Sequence, residues 1–505
     1  MSITMPRTRA PETSPDNSVR SVLRSPGRLR TEILAGLVVA LALIPEAIAF
    51  SVIAGVDPRV GLFSSVTMAL TIAVAGGRPA LISAATAAVA LVVAPIGHQY
   101  GVNYLVATIV LAGIFQVLLG LVGIAKLMRF IPRSVMIGFV NALAILVFVS
   151  QLRHLVDVPW LVYPLAAAGI AIMVVLPKLT TAVPAPLVVV LALTATVVVF
   201  GWRVPDVGAQ GALPHSLPSP AIPHVPLTWA TLQLIAPYAI GVALVGLLES
   251  LMTAKLIDDI TETPSNKTRE ACGQGLANII TGIFGGMGGC AVVGQTMMNV
   301  KVAGGRTRMS TLSTGACLLL LILSLGDLVG RIPMAALAAV MIVVSAATFD
   351  WHSVAPRTLK VLPRSETAIM IITVVATVAT GNLAVGVILG VLTAMVAFAR
   401  RVAHLTIVES DGPCTPDDSG TRTYRVRGEL FFASSNDLVH QFDYVNDPDD
   451  VLIDMSGTDV WDASAVAALD AIQHKYRLRG KTVRISGLDG ASLEHLNRLS
   501  GRLGV

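Results

Sequence analysis

The chain has 505 residues, 54% of them hydrophobic and only 13% charged, with a mean hydropathy of +0.75 and a formal net charge of +5. Soluble domains carry roughly 25% charged residues, so this composition excludes a soluble globular protein. Apolar runs of about 15 to 25 residues follow one another from Thr31 to Arg401, which is typical of membrane-spanning helices and unlike the alternating short strands of a membrane β-barrel. We therefore predict an α-helical polytopic membrane protein.

The basic residues predict how the chain is threaded through the membrane, because Lys and Arg near helix ends stay on the cytoplasmic side. With fourteen spans and a cytoplasmic N terminus, the inside segments hold 22 lysines and arginines. The outside segments hold only four: Arg59, Arg153, Arg203 and Arg331. This asymmetry favours a multi-pass protein of the plasma membrane with both ends in the cytoplasm. It also explains the basic N-terminal tail (1–30) as a determinant of membrane orientation and not as a nucleic-acid-binding segment. The tail shows no signal-peptide cleavage pattern.

The first span, about 31–54, contains 43-LIPEAIAF-50. Pro45 and Glu46 stand at a depth where a charge costs several kcal/mol. Intramembrane acids are usually functional, so we expect Glu46 to lie in an interrupted helix that lines a polar cavity. The alternative is a glutamate that bonds a neighbouring helix for packing only.

Spans 2 to 7 follow, and their bounds are expected to within several residues. They are 60–76, 83–97, 103–124, 130–151, 160–177 and 184–201. Gln116 and Asn141 are interpreted as interhelical hydrogen-bonding residues and not as ligands. Span 3 stands out, since 83-SAATAAVALVVAPIG-97 opens with small residues and has a short apolar segment.

A Pro- and Gly-rich stretch, 202–228, is the predicted external linker to a second half. Span 8, about 230–257, carries Glu249, the only mid-span acid besides Glu46. Thr253 follows four residues later and so shares its helix face. Spans 9 and 11 to 14 are expected at about 268–284, 311–325, 332–347, 366–380 and 382–399.

Between spans 9 and 11 lies 285-GGMGGCAVVGQTMMNVKVAGGRTR-308. Its glycines precede only about a dozen apolar residues, whereas a full-width helix needs roughly 20. The pattern predicts a half-helix that begins inside the membrane. Its N terminus would present unpaired N–H groups and the positive end of the helix dipole, which together make an anion site. The alternative is a flexible, glycine-rich loop before an ordinary short helix.

Three landmarks recur at nearly one offset. Glu46 and Glu249 are 203 residues apart, the small-residue openings at Ser83 and Gly289 are 206 apart, and 131-IP-132 and 332-IP-333 are 201 apart. Seven spans per repeat, an odd number, would invert the second copy. Repeat 1 (about 31–201) and repeat 2 (about 230–401) then place two broken helices near the midplane, where secondary transporters bind substrate.

These motifs resemble a known family. The segment LIPEAIAFSVIAGVDPRVGLFSS is similar to the first signature of the SulP family of anion transporters, and 285–308 is similar to the tenth-helix region of one bacterial branch. The resemblance covers about residues 20–505. It implies a 7+7 inverted repeat in which a core domain moves against a gate domain, usually in a homodimer. It also implies an anion held between the N termini of helices 3 and 10.

Carried over by motif position, the resemblance implies a substrate site drawn from helices 1, 3 and 10. Its members are Glu46, Phe50, Ala85, Thr86, Val293, Gly294 and Gln295. Glu249 and Thr253 take the cation-coupling position of helix 8. Many relatives carry glutamine where Glu46 stands, arginine where Gln295 stands and Gly-Pro where Ser83-Ala84 stand. The site of this chain therefore lacks a positive charge and has an additional acid.

This departure leads to a hypothesis about coupling. A carboxylate or sulfate anion beside two ionised glutamates would be repelled by several kcal/mol. Protonation removes the conflict, and both burial and a neighbouring anion favour the protonated carboxyl. We therefore expect protons to be co-transported, with Glu249 and Glu46 as carriers. Sodium bound at Glu249 and Thr253 is the rival hypothesis.

The composition becomes that of a soluble domain after Arg401, so 402–505 is predicted to be a small cytoplasmic α/β domain. We expect strands at 423–434, 451–457 and 482–487 and an amphipathic helix at 463–481. The domain resembles the STAS domain of SulP proteins, which is related to bacterial anti-sigma-factor antagonists. Ser464 stands roughly where those antagonists are phosphorylated, but a helix N-cap is the favoured interpretation.

The leading hypothesis is a secondary active transporter that moves a small anion across the lipid bilayer by alternating access. An anion channel or uncoupled exchanger is the alternative. An enzyme is disfavoured because no nucleophile–base pair is evident, and the four cysteines lack metal-binding spacing, so no metal or organic cofactor is expected. A nucleobase transporter of similar architecture is disfavoured by the STAS-like C-terminal domain and by the two SulP-like motifs. The substrate stays open among sulfate, bicarbonate, chloride and dicarboxylates; the missing arginine disfavours sulfate, and proton coupling suits a dicarboxylate.

Overall fold

The computed structural model describes residues 19–123, 132–179, 184–210, 219–220, 223–226, 228–403, 407–410, 420–432 and 434–500. The chain divides into two compact units, Met1–Val391 and Leu392–Val505, which are treated separately below. The start of the N-terminal tail (1–18), Ile131 of the predicted repeat and residues 211–218, 221–222 and 227 of the predicted linker lie outside the described residues.

Each predicted span corresponds to a helical segment. After the short α1 (Val19–Leu23), the first half comprises α2 (Pro26–Ala54), α3 (Pro58–Ala75), α4 (Ala87–Tyr100), α5 (Val102–Val122), α6 (Arg133–Leu152), α7 (Val162–Leu179) and α8 (Ala185–Phe200). The second half comprises α9 (Trp229–Thr261), α10 (Lys267–Ile283), α11 (Val293–Met297) with a π-helical turn at Met298–Val302, α12 (Arg308–Gly330), α13 (Met334–Thr348), the short α14 (Pro356–Val361), α15 (Arg364–Thr380) and α16 (Leu383–Ala403). Seven of the described helices are long and apolar enough to cross a membrane by themselves.

The predicted interruption of the first span is wrong. Helix α2 runs without a break from Pro26 to Ala54 and contains Pro45 in its interior. A proline removes one backbone donor and crowds the preceding turn. Membrane helices tolerate this change where neighbouring helices support the backbone, and α2 packs against α3, α4 and α12.

The helices form two packed sets, and each set combines helices of both repeats. One set, which we call the core set, contains α2 to α5 and α9 to α12; the other, the gate set, contains α6 to α8, α13, α15 and α16. Within the core set, the contact of α5 with α10 has its counterpart in α3 with α12. Within the gate set, α6 with α15 corresponds to α7 with α13. Pro132 and Pro333 immediately precede α6 and α13, in keeping with the predicted repeat.

Basic residues that were predicted on one side of the membrane meet at one end of the core set. The Arg78 and Lys267 side chains approach the Asp258 carboxylate, at 3.0 and 2.7 Å. Arg269 and Arg308 donate to backbone carbonyls at the end of α3. Since the ends of α3 and α9 and the starts of α10 and α12 are joined here, these elements share one face of the protein, as the charge pattern requires.

The second unit contains a four-stranded sheet with the order β3-β4-β5-β6. Its strands are β3 (Ile407–Ser410), β4 (Arg422–Leu430), β5 (Asp450–Val460) and β6 (Thr482–Ser486), and its helices are α17 (Ser435–Leu438), α18 (Ala463–Arg477) and α19 (Gly490–Leu499). β3 pairs antiparallel with β4, whereas β4, β5 and β6 are parallel. The three predicted strands and the predicted helix are present, but β3, α17 and α19 were not predicted, and β4 and α18 end earlier than expected.

The unit is held by an apolar core with one polar cluster. Tyr424 and Tyr476 donate hydrogen bonds to the Asp447 carboxylate, whose side chain is fully buried. Burial raises the pKa of Tyr476 far above its usual value, so its hydroxyl stays a donor at any physiological pH. The interpretation of Ser464 as a helix cap is wrong: Asp462 caps α18 by accepting from the Ala465 amide at 3.0 Å, and Ser464 is exposed in the first turn.

Candidate functional site

The two predicted half-helices start beside each other. Short strands β1 (Ser83–Ala84) and β2 (Cys290–Ala291) pair antiparallel, with Ser83 opposite Ala291 and Ala84 opposite Cys290. Helix α4 begins three residues after β1, and α11 begins two residues after β2. At 14 residues, α4 is about 21 Å long, which is less than the hydrocarbon thickness. The half-helices at positions 3 and 10 are therefore confirmed, with their N termini next to one small ladder.

Two glycines make this pairing possible. Gly288 has φ +71°, a left-handed conformation that side chains rarely adopt. A Cβ at Gly289 would lie 1.9 Å from the Ala84 carbonyl oxygen, so only glycine fits against β1. Gly289 is also anchored by Asn278, whose Oδ1 accepts from the Gly289 amide at 2.9 Å. Asn278 donates in turn to Gln116 Oε1 at 2.8 Å, which makes Gln116 the interhelical partner that its sequence context predicted.

Glu46 reaches the second half-helix. The Gln295 amide donates to Glu46 Oε2, joining α2 to α11. Both side chains are buried, and Phe50, one turn further along α2, is buried as well. The predicted residues Glu46 and Gln295 thus meet at the start of α11, whereas Phe50 belongs to the buried apolar cluster that contains Ala85 and Ala87 at the start of α4. None of the ion pairs found among the described residues involves Glu46.

A thiol links the other acid to the first half-helix. The Cys290 Sγ lies 2.9 Å from Glu249 Oε2, to which it donates, and 3.1 Å from the Thr86 hydroxyl. Thr86 is the N-cap of α4 and accepts from the Val89 amide at 3.4 Å. Cys290 was not predicted as a site residue, because its surroundings suggested only a small apolar position. Its place in the ladder, opposite Ala84, is what brings it between Glu249 and Thr86.

The predicted pairing of Thr253 with Glu249 takes a different form. The Thr253 hydroxyl donates to the Glu249 backbone carbonyl at 2.7 Å, the usual bond of a helical threonine to the preceding turn. Thr253 therefore lies beside Glu249, but its hydroxyl proton is directed to the backbone and not to the carboxylate. Ser250, on the same helix, accepts from the Ala291 amide at 3.0 Å and so fixes β2 to α9.

The backbone donors at the two helix starts are not equally open. The Ala85 amide already donates to the Ser65 hydroxyl at 3.2 Å. Val293 and Gly294 lie in the first turn of α11, where N–H groups have no intrahelical partner. Gly294 is exposed, and a Cβ there would meet no atom within 4 Å. Open space therefore lies beside the first turn of α11, in a cleft that Val38, Pro184 and Met297 also line.

Comparison with known proteins decides the family. Residues 29–163 and 160–373 match the sulfate permease family, and residues 413–500 match the STAS domain. The chain belongs to the sulfate permease family.

Relatives within this family are similar to the chain over nearly their full length. "Putative sulfate transporter YbaR" of Bacillus subtilis (strain 168) is 49% identical over 474 residues, 94% of this chain and 98% of the relative. "Bicarbonate transporter BicA" of Picosynechococcus sp. (strain ATCC 27264 / PCC 7002 / PR-6) is 26% identical over 519 residues, 93% and 91% of the two chains. The solved structure of SLC26A9 has a TM-score of 0.79 at 17% identity, covering 95% of this chain and 88% of that one, which supports the fold.

The candidate site combines two helix N termini with acidic side chains. Helix N termini attract anions through their N–H groups and dipoles, but the side chains around them here are Glu46, Gln295, Glu249 and Cys290. Among the described residues, no group of three or more His, Cys, Asp or Glu side chains is placed to hold a metal ion. The arrangement can bind an anion and can hold or release protons at its carboxyl groups.

Proposed function

We propose that this protein is a secondary active transporter that carries a small anion together with protons, by alternating access. The observation that carries the proposal is the pair of acids at the half-helices. Glu46 is bonded by an amide and Glu249 by a thiol, and the ion pairs of the described residues include neither. The anion would lie at the opposed N termini of α4 and α11.

Charge repulsion supplies the coupling. Two like charges 4 Å apart repel by about 4 kcal/mol at an effective dielectric of 20. An anion entering beside an ionised Glu46 or Glu249 meets such a penalty, because neither carboxylate forms an ion pair with a Lys or Arg of the described residues. Protonating the carboxyl removes it, so a proton and the anion bind more favourably together than either binds alone. This reciprocal coupling makes the transporter a symporter.

The contacts of Glu249 favour protons over sodium. One of its carboxylate oxygens accepts from the Cys290 thiol, and sulfur is a poor neighbour for a hard cation that prefers oxygen ligands. The Thr253 hydroxyl donates to the backbone. A thiol and a threonine cap next to a carboxyl are, by contrast, compatible with a protonated or an ionised side chain.

The substrate that we propose is a small anion of the dicarboxylate, bicarbonate or sulfate class. The names of the relatives point to sulfate and bicarbonate. The site has Gln295 where an arginine would give a bidentate partner for an oxyanion. The absence of that group weakens the case for sulfate, and a proton that neutralises Glu249 suits a carboxylate substrate.

Uptake into proteoliposomes tests the coupling. Purified protein is reconstituted, and uptake of labelled succinate, bicarbonate, sulfate and chloride is measured with an inward proton gradient, an inward sodium gradient or neither. We expect saturable uptake driven by the proton gradient. Glu249→Gln should reduce the gradient-driven part at least tenfold, whereas the control Asp259→Asn, an exposed acid on the same helix, should behave as wild type.

Two other results would point to the alternatives. Uptake that ignores the proton gradient but follows sodium would support the sodium hypothesis. Steady anion conductance across a planar bilayer, without saturation, would identify a channel, and exchange without any cation gradient would identify an uncoupled exchanger.

We also propose that the protein is a homodimer with its N terminus and STAS domain in the cytoplasm. Mass photometry of the detergent-solubilised protein should give twice the protomer mass. A fluorescent protein that folds only in the cytoplasm, fused to the C terminus, should fluoresce. A monomeric mass, or a dark fusion that is fully expressed, would contradict these two statements respectively.

A further inference from the structure

A cleft lies between α2 on one side and α8 with the turn before α13 on the other. Its volume is about 380 Å³. The walls are almost entirely apolar, and the residues that matter below are Ile44, Pro45, Leu187, Val190, Thr194 and Arg331. Since α2 belongs to the core set and α8 and α13 to the gate set, the cleft lies along the boundary between the two sets.

The cleft has the length and the apolar lining of a hydrocarbon chain. Its wall on α8 extends from Leu187 to Val198, which is about 16 Å along the helix axis. Ile44, Val190 and Ile332 line it and are each less than 10% exposed, so the groove is cut into the protein and is not merely its outer surface. In a bilayer, such an apolar groove is open to lipid.

A buried hydroxyl in the cleft has no partner. Thr194 is 4% exposed, and its Oγ1 forms no hydrogen bond within the described structure. Helical threonines in a membrane usually donate to the carbonyl one turn earlier, as Thr196 does to Ala192 at 2.8 Å. A donor left free in an apolar groove calls for an acceptor that enters with a ligand.

A cation stands at the mouth of the cleft. The Arg331 side chain is exposed and lines the cleft with Val198, which is one helical turn, or about 6 Å, beyond Thr194. No ion pair of Arg331 occurs among the described residues. A guanidinium presents a planar set of donors that matches a phosphate group.

We propose that this cleft is a binding site for one glycerophospholipid. Its phosphate lies on Arg331, an ester carbonyl one turn deeper accepts from Thr194, and an acyl chain follows α8 past Val190 to Leu187. The order of phosphate, ester and hydrocarbon in the lipid matches the order of cation, donor and apolar wall in the cleft. The chain also contacts Pro45, the neighbour of Glu46, so the bound lipid lies where the core and gate sets meet.

Native mass spectrometry tests the site with the full-length protein. The protein is delipidated in detergent and titrated with phosphatidylglycerol, and the affinity for the first bound lipid is measured. Arg331→Gln should weaken it about tenfold, because it removes a charge-assisted hydrogen bond, and Thr194→Val about threefold. Ala195→Phe, at the exposed mouth of the cleft, should abolish first-lipid binding. Arg203→Gln, an exposed arginine outside the cleft, is the matched control.

The same titration contains the results that would overturn the proposal. Equal first-lipid affinity in Arg331→Gln, Thr194→Val and Arg203→Gln would show that only unspecific surface lipid is bound. Displacement of the lipid by inorganic phosphate at equal concentration would show that Arg331 holds a free anion instead. Thermal melts identify any variant that does not fold, and the two remaining substitutions then decide.

Discussion

Both half-helices follow a strand of the β1–β2 ladder, but their N-caps differ. Helix α4 is capped by the Thr86 hydroxyl and continues as α-helix for 14 residues. Helix α11 follows Val292, which offers no side-chain cap, and after five residues it widens into the π-helical turn at Met298–Val302. The first turn of α4 is buried, whereas Gly294 in the first turn of α11 is exposed.

Under the proposed function, this difference predicts different roles for the two helix N termini. A capped and buried N terminus is structurally satisfied and holds the ladder in place. An uncapped N terminus next to open space keeps its N–H groups free for a ligand. We infer that α11 provides most of the donors for the anion and that α4 mainly positions Cys290 and, through it, Glu249.

The largest expected effect breaks the ladder itself. Gly289→Ala puts a Cβ 1.9 Å from the Ala84 carbonyl, and overpacking of this kind costs about 1–3 kcal/mol or more. We expect the variant to melt at a clearly lower temperature, or to yield no monodisperse protein in size-exclusion chromatography. Gly294→Ala, five residues later in open space, should be as stable as wild type but should bind the anion more weakly. Equal melting of the two variants would contradict the role of Gly289.

The second prediction replaces the negative charge at the start of α11 by a positive charge. The double variant Glu46→Gln with Gln295→Arg replaces the acid and its amide partner by an amide and a guanidinium. A charge-assisted hydrogen bond contributes about 1.5–3 kcal/mol, so sulfate should compete for uptake at least tenfold more strongly than in wild type. The single variant Glu46→Gln is the control for loss of the acid alone. Unchanged competition by sulfate would show that the anion does not approach Gln295.

The third prediction tests whether Cys290 acts through its hydrogen bonds or through its sulfur atom. Cys290→Ala leaves Glu249 and the Thr86 hydroxyl without their shared partner, which costs about 1–2 kcal/mol and should reduce proton-driven uptake several-fold. Cys290→Ser keeps a donor of similar size and should restore both stability and uptake to within about twofold. If serine and alanine behave alike, the link from α4 to Glu249 has no functional role.

Much of this architecture could be predicted from the sequence, because insertion into a bilayer depends on local hydropathy. The span positions, both half-helices and the acids Glu46 and Glu249 follow from apolar length and from polar residues at depth. The partners of those acids do not. The bonds of Cys290 join residues 41 and 204 positions away, and no local pattern encodes such pairs.

Two predictions from the sequence were wrong for the same kind of physical reason. Pro45 predicted an interrupted helix, but tertiary support from the neighbouring helices keeps α2 continuous. In the second unit, Ser464 looked like a cap, although Asp462 two residues earlier has the cap conformation and the bond. Local propensity allowed both alternatives in each case, and packing selected one of them.

The smallest effects concern the caps. Thr86→Val removes the α4 cap and should lower stability by about 1 kcal/mol, whereas Thr86→Ser should be nearly neutral. Val292→Thr is the reciprocal change, because it offers α11 a cap that it lacks. That hydroxyl would compete with the anion for the same N–H groups, so Val292→Thr should raise the melting temperature slightly and weaken the stabilisation by added anion two- to threefold. Melting curves with and without the transported anion measure both effects. If Val292→Thr leaves the anion-dependent shift intact, the N terminus of α11 is not where the anion binds, and the two half-helices contribute alike.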